Sequence, residues 1–97
     1  MAEYKLTPRA ERDLEEIWRY SVQQWSVEQA ENYVGASLDA MEILAANPER
    51  GRPADGIRAT YRRQAVGSHV VFYVPKSYGI AIIRVLHQRM DFDTHLA

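Results

Sequence analysis

The stretch Gly67-Ser-His-Val-Val-Phe-Tyr-Val-Pro-Lys-Ser-Tyr-Gly-Ile-Ala-Ile-Ile-Arg-Val-Leu-His-Gln-Arg-Met-Asp91 decides the fold. It reads as two β-strands and a turn. The first run, His69 to Val74, is almost wholly β-branched and aromatic, and the second, Ile80 to His87, nearly so. Such residues suit a pleated, at least half-buried surface. Pro75 to Gly79 supplies turn residues between them. Neither run alternates cleanly, so both faces of the hairpin should meet other parts of the chain. Arg84 interrupts the second strand, and His87, Arg89 and Asp91 follow it. A charge inside an apolar strand costs free energy unless it is paired or reaches solvent. The end of this hairpin is therefore the place to look for function.

Upstream, Tyr61 to Val66 is a further strand, and Gly67-Ser68 matches a two-residue hairpin turn with glycine first. Residues 48–60 read as a loop, with Pro48, Gly51, Pro53 and Gly56. Before it, two helices are expected. Thr7 caps the first and Pro8 fits its opening turn. Its apolar stripe is Ala10, Leu14, Ile17, Trp18, Val22 and Trp25, with Glu11, Asp13, Glu15, Glu16 and Arg19 mostly opposite. Ser26 and Gln29 form a capping box for the second helix, whose stripe is Ala30, Tyr33, Val34, Leu38, Met41, Leu44 and Ala45. The short link between them predicts an antiparallel helical hairpin. Tyr4 to Leu6 is a short first strand, and residues 91–97 a last helical turn. The layout is β-α-α-β-β-β. The helical hairpin must bury its stripes on the sheet, giving a two-layer α+β domain with a mainly antiparallel sheet. Leu14, Trp18, Leu38, Val71 and Ile82 should then be buried.

Ninety-seven residues fit one domain spanning 1–97, and 46% apolar with 26% charged residues is ordinary for a soluble globular protein. There is no cysteine, which removes thiolate chemistry and fits a cytoplasmic protein. No apolar run approaches the ~20 residues that span a bilayer, and Met-Ala-Glu-Tyr-Lys lacks the apolar centre of a signal peptide. No membrane partner is expected.

The net charge of −1 conceals an asymmetry. Residues 1–49 carry ten acids against four bases, and residues 50–97 eight bases against three acids. Either the basic half meets an acidic partner, or the two halves neutralise each other across their own interface.

No strong catalytic motif emerges. The glycines are scattered, so no phosphate loop is present. His69, His87 and His95 have no metal-ligand spacing, so neither metal nor cofactor is expected. The basic set Arg58, Arg62, Arg63, Arg84 and Arg89 would converge if the strands align, and guanidinium groups bind phosphates and carboxylates in pairs. Equally, Arg84 can serve as a structural ion pair with Asp91 or an acid of the helices. Trp18, Tyr20, Trp25 and Tyr33 sit at helical spacing and read as packing.

Four segments carry a resemblance: Tyr4 to Leu14 with Glu16-Ile-Trp18, Ala46-Asn-Pro-Glu-Arg-Gly-Arg-Pro53, Val66-Gly-Ser-His-Val-Val-Phe-Tyr73 and Ile83-Arg-Val-Leu-His-Gln-Arg-Met-Asp91. In this order they resemble the ParE toxins of the RelE/ParE superfamily of type II toxin–antitoxin modules. The resemblance implies a cytoplasmic toxin wrapped by a ParD-like antitoxin in the groove between helical hairpin and sheet. It also implies DNA gyrase as target, blocked by binding rather than catalysis, with no direct nucleic-acid contact. Arg58, Arg62, Arg84 and Arg89 would then meet the target, and Leu14, Trp18, Tyr73 and Arg84 the antitoxin. The alternative is a RelE-type ribosome-dependent mRNA endoribonuclease using Arg58, Arg62, Arg89 and His95. The C-terminal tyrosine of that branch is missing here, with His95 near its place, and arginines replace its lysine cluster.

Overall fold

A computed structural model describes residues 2–54 and 56–96. The elements are β1 (Glu3–Leu6), α1 (Pro8–Gln24), α2 (Val27–Ala46), β2 (Arg52–Pro53), β3 (Arg62–Val66), β4 (His69–Lys76), β5 (Gly79–His87) and α3 (Phe92–Leu96). They form a five-stranded sheet in the order β1-β5-β4-β3-β2. β1 runs parallel to β5; the other pairings are antiparallel. The α+β layout is thus the expected one, with β2 added inside the stretch read as loop.

Local chemistry sets the boundaries. The Thr7 hydroxyl accepts from the Ala10 amide and Pro8 opens α1. Ser26 accepts from the Gln29 amide at 3.0 Å and opens α2. In the turn between β3 and β4, Gly67 has a φ of +58 while Ser68 does not share it, as a glycine-first turn requires. The turn between β4 and β5 is tighter than expected: Lys76 already pairs with Gly79, leaving Ser77 and Tyr78 at the tip. Pro75 is tolerated inside β4 because the β3 register ends at Tyr73, so no neighbour on that side needs its amide.

The uneven apolar pattern of the hairpin has a structural cause. Phe72 pairs with Arg84 but Tyr73 pairs with Ile82, so Ile83 is an extra residue, a β-bulge. The bulge flips the faces of β5. Ile80, Ile82 and Val85 join Val71 and Tyr73 under the helices, with Ala10, Leu14, Ile17, Met41 and Leu44. Leu86 joins Val70 and Phe72 on the opposite face, where Ala54 and Leu96 close a second, smaller core. Phe92 stacks edge-on against Phe72 there.

The helix stripes shift by about a residue from the expected ones. Leu14, Val71 and Ile82 are buried, but Trp18 and Leu38 are only half-buried at the margins of the layer. Ser21, not Val22, continues the buried line Ala10, Leu14, Ile17. Its hydroxyl donates to the Ile17 carbonyl at 2.7 Å, which removes the cost of burying it. No described helix is long and apolar enough to cross a membrane.

Candidate binding surface

The bulge leaves polar backbone that the strand ladder cannot satisfy, and α1 supplies the missing partners. The Thr7 hydroxyl donates to the Ile83 carbonyl at 3.1 Å. Asp13 accepts from the buried Val85 amide at 2.9 Å. The same carboxylate accepts from Arg84 Nε at 2.8 Å and from Arg84 Nη2 at 2.9 Å. Arg84 Nη1 donates to the His95 carbonyl at 3.0 Å. The hydrogen bonds to Asp13, above all, hold the guanidinium more firmly protonated than usual. Arg84 therefore ties α1, β5 and α3 together. Its partner is an acid of the helices rather than Asp91, whose carboxylate instead accepts from the Thr94 hydroxyl. Asp13, expected on the solvent side, is 8% exposed.

The remaining candidates separate. Tyr73 is wholly buried; its hydroxyl donates to the Pro48 carbonyl at 2.7 Å and accepts from the Gly51 amide at 2.9 Å. Leu14 is likewise core. Arg62 is spent on the same loop, donating to the carbonyls of Glu49 and Gly51. Arg58 is exposed, with Nε directed at the Leu96 carbonyl at 3.4 Å, and it borders one cleft with Arg84 and His95. Arg89 is exposed in the turn after β5. Arg62 pairs with Tyr73, whereas Arg89 lies beyond His87, which pairs with His69. Four residues of strand, roughly 13 Å, separate those two levels of the sheet. Arg62 and Arg89 therefore stand apart, while Arg58 and Arg84 border one cleft.

A different surface is open. Between α1 and the ends of β4 and β5 lies a cavity of about 490 Å³, with Ile17, Tyr20, Trp25, Tyr33, Val85 and Met90 among its walls. Tyr20 and Trp25 are each 60% exposed and meet edge to face at 6.4 Å. Large apolar groups gathered at one concave place mark a binding surface. Sequence reading assigned Tyr20 and Trp25 to packing. The signal that places Trp25 outside is position: it closes α1 and immediately precedes the cap Ser26 of α2.

Two imidazoles form the polar side of this cavity. His69 and His87 face each other across the strand pair with ring centres 5.2 Å apart. The Tyr33 hydroxyl accepts from the Ser68 amide and lies 2.7 Å from His69 Nδ1. His87 Nδ1 accepts from the Arg89 amide at 3.1 Å. An amide can only donate, so His87 Nδ1 is the acceptor of this contact. Burial first, and the neighbouring His87 second, lower the His69 pKa below its ordinary value, with Asp13 opposing.

This fold and surface define a small two-layer α+β protein with an open apolar cavity beside its helical hairpin. The family model described as ParE toxin of type II toxin-antitoxin system, parDE, matches residues 4–92. Toxin ParE1 of Caulobacter vibrioides is 48% identical over 96 residues, 99% of each chain. Toxin ParE1 of Mycobacterium tuberculosis is 47% identical over 94 residues, 96% of each chain. Toxin ParE of Escherichia coli is 32% identical, covering 100% of this chain and 95% of its own. A solved chain from the chromosomal ParDE TA system of P. aeruginosa shares the fold, with a TM-score of 0.76 at 24% identity over 90% of this chain and 96% of that one. The chain belongs to the ParE toxin family of type II toxin–antitoxin systems.

Proposed function

We propose that this toxin is held silent by a ParD-type antitoxin and that, once released, it stops growth by binding DNA gyrase, without catalysing a reaction. What supports the binding mode is the dispersal of the groups a nuclease would need. An endoribonuclease must bring an acid or base and phosphate-binding cations to one scissile bond. Here Arg58 and His95 border one cleft, Arg62 is tied to the loop carbonyls of Glu49 and Gly51, and Arg89 lies at the far end of the sheet. The exposed Arg58 and Arg89 are the better target contacts of the four named in the sequence. Of the four residues expected to meet the antitoxin, Trp18 stays partly accessible, while Leu14 and Tyr73 are buried in the core and Arg84 is bonded to Asp13.

The test sets supercoiling by purified gyrase beside mRNA cleavage on ribosomes, using the same purified chain with and without antitoxin. Supercoiling should be blocked by the free chain, restored by antitoxin, and mRNA should remain intact. Cleaved mRNA with unimpeded supercoiling would establish the RelE-type alternative instead.

A further inference from the structure

We propose that the cavity beneath Tyr20 and Trp25 seats an apolar anchor of the antitoxin flanked by a basic residue, which pairs with Glu16, and that the facing His69 and His87 make this grip weaken in acid. The inference rests on the antitoxin reading above and specifies the chemistry of the bound segment.

Three observations carry it. The walls are largely aliphatic and aromatic, and Tyr20, Trp25 and Met90 at its mouth keep 60%, 60% and 45% of their surface exposed. An apolar anchor would remove that surface from water. The charge of the site is then decisive. Among the described residues its lining carboxylates are Asp13 and Glu16, and no Lys or Arg lines it. Asp13 is bonded directly to Arg84; Glu16 feels the Arg84 charge only at longer range and is exposed, so it is the carboxylate a partner can reach. It lies, moreover, on the acidic half of the chain. Complementarity therefore calls for a cation next to the anchor, where the sequence alone suggested an acidic segment drawn to the basic half.

The third observation is the imidazole pair. Groups facing it are Asp13 and Glu16 from α1, Tyr33 from α2, and each histidine from the adjoining strand. Both Nδ1 atoms are engaged, His69 by the Tyr33 hydroxyl and His87 by a backbone amide. A proton on His87 Nδ1 would break its bond to the Arg89 amide. Covering the pair with apolar surface disfavours charged rings there, and a neighbouring cation adds repulsion. Both effects act in one direction: the bound state takes up protons less readily than the free one, so affinity falls as pH falls.

The experiment measures antitoxin binding to the purified chain by titration calorimetry at about pH 7.5 and about pH 5.5, a range in which unperturbed histidine titrates. Antitoxin affinity should drop on acidification. Trp25→Ser should weaken binding about tenfold or more, as removal of an aromatic anchor does. Glu16→Arg should weaken it through charge reversal, while Glu11→Arg, on the same helix but outside the cavity, should not. His69→Gln with His87→Gln should flatten the pH dependence; should that variant not fold, the pH profile of the native chain decides. Affinity that rises or stays level on acidification, or that improves in Glu16→Arg, would overturn the inference. Tight antitoxin binding indifferent to Trp25 and Glu16 would sink it while leaving the toxin–antitoxin reading intact. Failure of the native chain to bind any ParD-type antitoxin at either pH would remove both.

Discussion

The carboxylate of Asp13 and the guanidinium of Arg84 meet in two hydrogen bonds of 2.8 and 2.9 Å across 71 positions of chain, with side chains only 10% and 13% exposed. Such a pair is expensive to desolvate, and removing one partner leaves the other charge buried. Asp13→Ala should therefore cost about 3–5 kcal/mol in urea unfolding. The usual apolar rescue should work only in part. Asp13→Leu with Arg84→Met removes both charges, but the Val85 amide at the bulge still loses its acceptor. That orphaned donor should keep the double variant about 1–3 kcal/mol below the native chain. A double variant as stable as the native protein would show that the pair, not the bulge amide, is what Asp13 serves.

Tyr73 makes a narrower prediction. Its hydroxyl is the link between the central strand β4 and the loop before β2, through Pro48 and Gly51. Tyr73→Phe keeps the ring packing and removes only that link. The loss should be about 1–3 kcal/mol, since a buried amide goes unpaired. Hydrogen exchange at the Gly51 amide should quicken more than exchange within β4. Equal quickening in both places would point to general loosening instead.

How the sequence foreshadowed these features depends on how local they are. The caps at Thr7 and Ser26 and the Gly67 turn rest on side chains within three residues of the backbone they serve, and each was legible. The two-faced burial of the hairpin was legible as broken alternation. Its cause was not, because Ile83 carries no glycine or proline to mark a bulge. Asp13 was misassigned for a related reason. A helical wheel counts any carboxylate as solvent-facing, and the one hint of its partner lay in Arg84, far along the chain. β2 was invisible because two residues, one of them proline, give no period. The arginines failed to converge because hydrogen bonds to Asp13, Glu49 and Gly51 direct Arg84 and Arg62 to separate places.

His69 gives the fold a specific response to pH. Its pKa lies below the ordinary 6.5 because burial, then His87, penalises the charged ring. The unfolded chain therefore holds more protons between the folded value and 6.5. Stability from this residue is complete above 6.5 and is lost as pH falls through that window. Asp91 acts separately: the Thr94 hydroxyl lowers its carboxyl below the ordinary 3.8, so its contribution is lost only in stronger acid. Urea midpoints at closely spaced pH values should show a first decline below 6.5 that His69→Gln removes. A decline that persists unchanged in that variant would assign it to another group.

The last prediction concerns toxicity, and it follows from where the bases sit. If growth arrest comes from binding, no single side chain moves a proton, and contacts are lost by increments. His95→Ala should then leave growth inhibition largely intact, because the contact that anchors α3 to β5 uses the His95 backbone carbonyl, not its ring. Arg89→Ala should weaken inhibition modestly, since Arg89 is exposed. Arg58→Ala with Arg89→Ala should weaken it further, each base adding its own contact. Arg62→Ala is the informative contrast: its guanidinium holds the carbonyls of Glu49 and Gly51, so its loss should appear as lower thermal stability before it appears as lower toxicity. A nuclease predicts another pattern, because a positioned acid or base contributes about 10²–10⁴-fold. His95→Ala alone would then nearly abolish arrest while leaving the fold unchanged. Growth curves under graded induction, read beside melting temperatures of the same four variants, separate a stepwise decline from a single collapse.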